Sequence, residues 1–333
     1  MQEAAEMGIL SINHRSDRFM EIMQQTKTAI TRTLHVPEGY AILFTSSATE
    51  CWEILAQSLL KGSSLHVFNG AFGEKWYSYA HNIKRGSEEY VYGLQETLPV
   101  EELLIPLMAE MVCITQNETS NGTKVSTNLI AHLKEISPGT LVAVDATSSL
   151  AGEALDLKTA DVWFASVQKC FGLPAGLGVL LVSERAQERA AYIREEGRYN
   201  SLLSSLSFAQ KNQTPYTPNV LGVYLLGKVC VELGETTQYY PALATRAQRL
   251  YRYFEQHPVL QPLIHTEEVR SDTVIAVRGK AEMIQKAHLL AEEAGLLLGK
   301  GYGKWEKETF RVANFPAHED EDHTYLMEAL QNL

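Results

Sequence analysis

Cysteine is scarce in this 333-residue chain, and the four present, Cys51, Cys113, Cys170 and Cys230, lie far apart with no C-x-x-C pair. That spacing argues against the common zinc frames and against a disulfide framework, and it fits a reducing cytoplasm. Positive charge is also in short supply, with 29 Lys and Arg against 40 Asp and Glu and a formal net charge of -11. Nucleic acids and anionic membranes both reward clustered cations, so neither is expected as a partner. No apolar run approaches the roughly 18 residues of a membrane span, and the acidic amino end lacks the apolar stretch of a signal peptide. The glycosylation sequons at Asn117 and Asn121 are therefore expected to be idle. A nucleotide phosphate loop is missing as well. Gly299-Lys300-Gly301-Tyr302-Gly303-Lys304 fits no G-x-x-x-x-G-K frame, its Gly-Lys is not followed by Ser or Thr, and no strand precedes it.

What is present is length enough for two domains, an ordinary globular composition, and a regular alternation of short apolar runs with helical patterns. Strands are predicted at Tyr40–Thr45, Ser64–Phe68, Glu89–Tyr92, Met111–Thr115, Leu141–Val144, Asp161–Ala165 and Gly178–Val182. Helices are expected over Asp17–Leu34, Glu50–Leu60 and Ser126–Ile136. Up to about residue 185 this alternation implies an α/β domain with a mostly parallel sheet covered on both faces. Tyr192–Asn219 reads as a polar loop. Beyond it the chain is helix-rich, with two evident strands at Thr273–Val277 and Thr309–Ala313, which gives a smaller α+β domain. The division is drawn at 1–220 and 221–333.

The chemistry gathers between Leu141 and Val182. Asp145 and Lys169 each sit just beyond a predicted strand's carboxyl end, where open α/β sheets bind ligands. Lys169 is followed by Cys170-Phe171-Gly172-Leu173-Pro174-Ala175-Gly176, a tight apolar turn that shields its amine from water and makes it a candidate nucleophile. Either residue alone reads first as a loop lysine or a helix cap. Upstream, Ser46-Ser47-Ala48-Thr49 joins a strand to a helix and offers free N–H groups to an anion. His14-Arg15 precedes a helix start and suits a phosphate or carboxylate, or is a solvated pair. Arg311, amid strand formers, either grips a carboxylate with two hydrogen bonds or is solvated on an edge strand.

Asp145, the run Ser166-Val167-Gln168-Lys169 and the glycine-proline turn after it resemble the pyridoxal 5'-phosphate site of class V aminotransferases, and among them the phosphoserine type. The resemblance runs along nearly the whole chain. It implies the fold type I architecture of pyridoxal-phosphate-dependent transferases, with a seven-stranded, mostly parallel sheet in the large domain. It further implies that Lys169 holds the cofactor as a Schiff base, Asp145 pairs with the pyridine nitrogen, and Phe72 stacks on the ring in place of the more usual tryptophan. Thr119, in Asn117-Glu118-Thr119, would bond the ring oxygen. Ala48, Thr49 and Gln168, with Gln213 and Thr214 from a partner chain, would bind the cofactor phosphate, which makes the enzyme a homodimer with shared active sites. His14, Arg15 and Arg311 would bind substrate, an amino or keto acid. The family usually opens with a strand and a Gly-Pro turn, and this chain begins too late to contain it. Part of the site rim is missing on this reading, or the numbering starts from an internal methionine. Tyr302-Gly303 also stands where many phosphoserine enzymes carry a phosphate-gripping His-Arg pair. Beside this reading stand another class V reaction, such as alanine-glyoxylate transamination or cysteine desulfuration through Cys170, and a non-catalytic homologue.

Overall fold

The computed structural model describes residues 1–331 and 333. Seven strands form the large sheet: β1 (Ala41–Thr45), β2 (Ser63–Phe68), β3 (Glu88–Val91), β4 (Ala109–Thr115), β5 (Leu141–Asp145), β6 (Val162–Ser166) and β7 (Gly178–Val182). Their order is β1-β7-β6-β5-β4-β2-β3. All neighbours run parallel except β7, which is antiparallel to both β1 and β6. The central strands are apolar at nearly every position because both faces are covered. Alternation still decides which way each side chain points. Val142, Val144, Trp163, Ala165, Val179 and Leu181 enter one core, while Leu141, Ala143, Val162, Phe164, Leu180 and Val182 enter the other.

Helices cover the two faces. On the first lie α1 (Asp17–Leu34) and α4 (Thr127–Ile136); on the second lie α2 (Ala48–Ser58), α3 (Ala71–Ile83), α5 (Glu184–Ile193) and α6 (Leu202–Ala209). The apolar stripe of α1, Phe19, Ile22, Met23 and Ile30, is buried at helical spacing, and Ser16 caps its first turn by accepting from the Phe19 N–H. A further helix, α7 (Val220–Leu233), packs on α1, with the Thr26 and Thr33 hydroxyls donating to the Val223 and Cys230 carbonyls at 3.1 and 2.8 Å. Helix α6 corrects the expectation of a polar loop over Tyr192–Asn219. Ser201 caps it, and Leu202 and Leu206, one turn apart, are buried in the second core. Leu203, Ser204 and Ser205 lie between them, and the polar residues around the helix hide an i, i+4 apolar pair.

The second unit is an antiparallel sheet of β8 (Leu260–Pro262), β9 (Val274–Gly279), β10 (Gly299–Lys300) and β11 (Thr309–Ala313) in the order β8-β9-β11-β10, packed with α8 (Thr236–Gln256), α9 (Ala281–Glu293) and α10 (Asp320–Leu330). Phe310 and Val312 point into its core, so Arg311 between them faces the other way, toward the large unit. The joint is the loop 116–124. The Ser271 N–H donates to the Gly122 carbonyl at 2.9 Å, and Asn117 Nδ2 donates to the Thr273 hydroxyl. Gly122 has φ +77°, and a Cβ there would lie 2.8 Å from the Val274 carbonyl, so only glycine fits this closest approach. Asn117 and Asn121 are both buried, which closes the two sequons to modification. The four cysteines are free and buried, Cys51 and Cys113 in the second core and Cys170 and Cys230 in the first. Among the described residues no helix is long and apolar enough to cross a membrane.

Candidate active site

The carboxyl ends of β1, β4, β5 and β6 share one edge of the large sheet, and the site is built there. Asp145 ends β5 and is buried. Its carboxylate accepts the Trp52 indole N–H at 3.1 Å and the Thr147 N–H at 2.9 Å. Burial raises its pKa, opposed by those hydrogen bonds and by the charge of Lys169. No cation touches this carboxylate among the described residues. Among the described residues the Thr147 hydroxyl beside it is buried without a protein partner.

Lys169 lies three residues beyond β6, on a turn closed by the Gly172 N–H donating to the Lys169 carbonyl at 2.8 Å. Gly172 is left-handed at φ +64°. The Lys169 Nζ donates to the Thr119 hydroxyl at 2.8 Å and the Ser148 hydroxyl at 3.0 Å, and stands 5.2 Å from the centre of the Phe72 ring. Burial holds the ammonium below its usual pKa, with Asp145 pulling in the opposite sense. A desolvated amine held by two hydroxyls is poised to lose its proton and attack. Cys170, its neighbour, points inward and gives its thiol hydrogen to the Ser148 carbonyl at 3.2 Å. That orientation takes its sulfur out of any substrate's reach.

Phe72 stands in the first turn of α3, and Glu118 fixes that turn. The buried Glu118 carboxylate accepts from the Phe72 N–H at 3.2 Å, the Gly73 N–H at 3.1 Å and the Ser120 N–H at 3.0 Å. A carboxylate here caps the positive end of the helix. From the small unit, Arg311 reaches across. Its Nη1 donates to the Thr119 carbonyl at 3.0 Å and its Nε to the Lys300 carbonyl at 2.8 Å, leaving Nη2 without a protein partner among the described residues.

The turn before α2 differs from the expectation that it offers free N–H groups. The Ala48 N–H donates to the Ser166 hydroxyl at 2.7 Å, and Glu50 folds back to accept from the Ser46 N–H at 2.6 Å and its hydroxyl at 2.8 Å. Side chains of the chain itself thus satisfy part of the helix end, as caps do. Thr49 remains exposed at the second helical position with its hydroxyl unpaired among the described residues. Gly178 lets the turn close, since a Cβ there would lie 2.4 Å from the Thr45 hydroxyl.

Lys169, Asp145, Thr119, Phe72 and Arg311 therefore converge. Gln168 is exposed beside them. His14, Arg15, Gln213 and Thr214 gather elsewhere: Arg15 donates to Gln213 at 3.0 Å and lies 5.3 Å over the Phe208 ring, while the buried Thr214 hydroxyl donates to the Tyr216 carbonyl. His14 is half-buried nearby in sequence and makes no hydrogen bond to the Lys169 cluster among the described residues. Trp52, Glu118, Ser148 and Tyr302 were not singled out as site residues from the sequence. Trp52 has a usable signal, one helical turn after Ala48 on the same face, and Tyr302 stands out only through the His-Arg pair it replaces.

A desolvated lysine, a buried acid one strand away and an arginine with a free N–H edge are the parts that a cofactor-dependent transferase needs. Residues 2–68 and 89–302 match the Aminotransferase class-V family, and the chain belongs to it. Its relatives are more particular. It is 28% identical to a phosphoserine aminotransferase of Rhodococcus opacus over 99% of this chain and 90% of that one. A phosphoserine aminotransferase of Cytophaga hutchinsonii superposes with a TM-score of 0.94 at 31% identity, covering 99% of this chain and 93% of that one. An aspartate aminotransferase of Thermus thermophilus shares the fold, with a TM-score of 0.84 at 23% identity over 97% and 93% of the two chains.

Membership brings pyridoxal 5'-phosphate as cofactor, and the residues present fit it. Asp145 is a buried carboxylate that no cation touches among the described residues, and a protonated ring nitrogen would supply one. The unpaired Thr147 hydroxyl, the amine of Lys169 and the flat face of Phe72 complete the fit.

Proposed function

We propose that this protein is a phosphoserine aminotransferase, passing an amino group from glutamate to 3-phosphohydroxypyruvate in serine biosynthesis. The observation that carries the aminotransferase part of the reading is the double use of Thr119, whose hydroxyl receives Lys169 and whose carbonyl receives Arg311. One residue thereby sets the distance between a nucleophilic amine and a guanidinium with a free N–H edge. The full-length likeness to enzymes of that name supports the choice of substrate.

Bound pyridoxal 5'-phosphate supplies the electron sink and carries the amino group between substrates. Lys169 holds or releases a proton at Nζ, and burial, which lowers its pKa, eases the release. Asp145, fixed by Trp52 and Thr147, holds negative charge against the ring nitrogen. Thr49 and Gln168 would hold the cofactor phosphate, joined by Ala48 where its N–H is released from Ser166. Arg311 grips the substrate α-carboxylate through Nη2. Gln213 and Thr214 reach the cofactor phosphate of a second copy in a homodimer, and His14 and Arg15 read the substrate's distal anionic group.

The test is a visible absorption spectrum of the protein with pyridoxal 5'-phosphate. The cofactor band should bleach with glutamate and return with 3-phosphohydroxypyruvate. Lys169→Ala should abolish turnover, and normal turnover in that variant would sink the mechanism. A second reading, a class V aminotransferase for another keto acid, is favoured by Tyr302-Gly303. A band that bleaches but returns only with a different keto acid selects it.

A further inference from the structure

Tyr302 belongs to no role assigned so far, yet it touches two residues that have one. Its ring stacks on Phe72 with centroids 5.0 Å apart and planes 26° from parallel, and the Arg311 guanidinium lies 5.8 Å from its centre. These contacts close a circuit. Lys169 meets Thr119, Thr119 meets Arg311, Arg311 meets Tyr302, Tyr302 stacks on Phe72, and Phe72 faces Lys169. Tyr302 is the member that ties the small unit's arginine to the large unit's aromatic plate.

The backbone around it is built for this. A Cβ on Gly301 would lie 2.5 Å from the Trp305 carbonyl and 2.6 Å from the Thr309 hydroxyl, and Gly303 is left-handed at φ +58°. The two glycines let the chain turn tightly enough to present Tyr302 in extended geometry, half-buried, at the end of β10. Arg311 needs such a support. Its pKa is lowered by burial, and no carboxylate pairs with it among the described residues. An aromatic face stabilises a partly desolvated guanidinium while leaving its in-plane N–H groups free for a ligand.

We propose that Tyr302 is a positioning residue of the substrate-carboxylate site: its ring holds Arg311 in the orientation that receives a carboxylate and fixes that orientation relative to Phe72. The inference rests on the aminotransferase reading above. It assigns the work to the ring and not to the phenol hydroxyl, which makes no hydrogen bond among the described residues.

The test uses the wild type and the variants Tyr302→Ala, Tyr302→Leu and Tyr302→Phe, cofactor-loaded for kinetics and cofactor-free for ligand binding. Tyr302→Ala and Tyr302→Leu should raise the KM for the amino donor, and the Kd for a non-reacting dicarboxylate read from quenching of intrinsic fluorescence in cofactor-free protein, by about five- to twenty-fold. The kcat should move by less, and Tyr302→Phe should restore both constants. The leucine variant keeps the packing volume, so it remains readable if the alanine variant does not fold. An unchanged dicarboxylate Kd in Tyr302→Leu, or a Tyr302→Phe as impaired as Tyr302→Leu, overturns the proposal. The wild-type spectrum separates the two failures, since an absence of bleaching by glutamate condemns the aminotransferase reading itself.

Discussion

At the residue scale, Asp145 is held by two donors and by nothing that accepts. The Trp52 indole and the Thr147 N–H each point a hydrogen at it, and both carboxylate oxygens answer as acceptors. Asparagine cannot do the same, because one of its two terminal atoms is itself a donor. Asp145→Asn should therefore destabilise even the cofactor-free protein by about 1–3 kcal/mol, from one buried donor facing another. It should also slow amino transfer by about 10²–10³-fold through loss of a preorganised charge. Thermal melting of cofactor-free protein and kcat with glutamate read the two effects separately. Loss of turnover with unchanged stability would show that the indole contact matters less than the geometry implies. Lys169 follows the same logic in mirror image, a donor given two hydroxyl acceptors so that its lone pair becomes available only when a proton leaves.

At the scale of elements, α3 is positioned from outside. Its N-terminal N–H groups bind the Glu118 carboxylate, and Gly70 before it leaves the room that carboxylate needs. A Cβ on Gly70 would lie 2.3 Å from Glu118 Cγ and 2.7 Å from Asn121 Nδ2. Gly70→Ala should cost about 1–3 kcal/mol by overpacking, lowering the urea midpoint with little change in slope, and should weaken cofactor binding through Phe72. An unchanged midpoint would mean that Glu118 moves aside freely. Little of this was legible in the sequence, because α3 carries glycine and aromatics where a helical stripe would show. Strands were easier. Gly178–Val182 stands where its continuous apolar run indicates, since burial on both faces leaves no alternation to misread, and Thr309–Ala313 stands where its β-branched and aromatic residues do. The two-residue β10 and three-residue β8 are too short for any periodicity to register. In the site, Lys169 and Asp145 were visible because strand ends mark them. The contacts that give Glu118 and Tyr302 their work join residues distant in sequence, and nothing local announces them.

For the whole molecule, the joint between the two units carries a buried ionisable cluster. Lys124 pairs with Asp272 and lies 3.9 Å from Glu153, Tyr240 donates to Asp272 at 2.7 Å, and Asn117 donates to Glu153 at 3.3 Å. Burial raises the Glu153 carboxyl to about 7, with Lys124 opposing. An acid whose folded pKa lies above its unfolded value binds more protons folded than unfolded in the interval between them. Its contribution to stability is thus complete below about pH 4.5 and is lost as pH rises to about 7, by about 3 kcal/mol at most. Glu153→Gln should flatten the stability profile across that window, as measured by denaturant unfolding at a series of pH values. A slope that persists would assign the titration to another group. The buried cysteines carry a different consequence. Burial pushes all four thiols up, Cys230 to about 12, so the folded chain offers no reactive thiolate. Two of them lie on each face of the large sheet. Any labelling by a thiol reagent then dates the moment a helical layer lifts away, and the order in which the pairs react tells which side of the sheet is uncovered first.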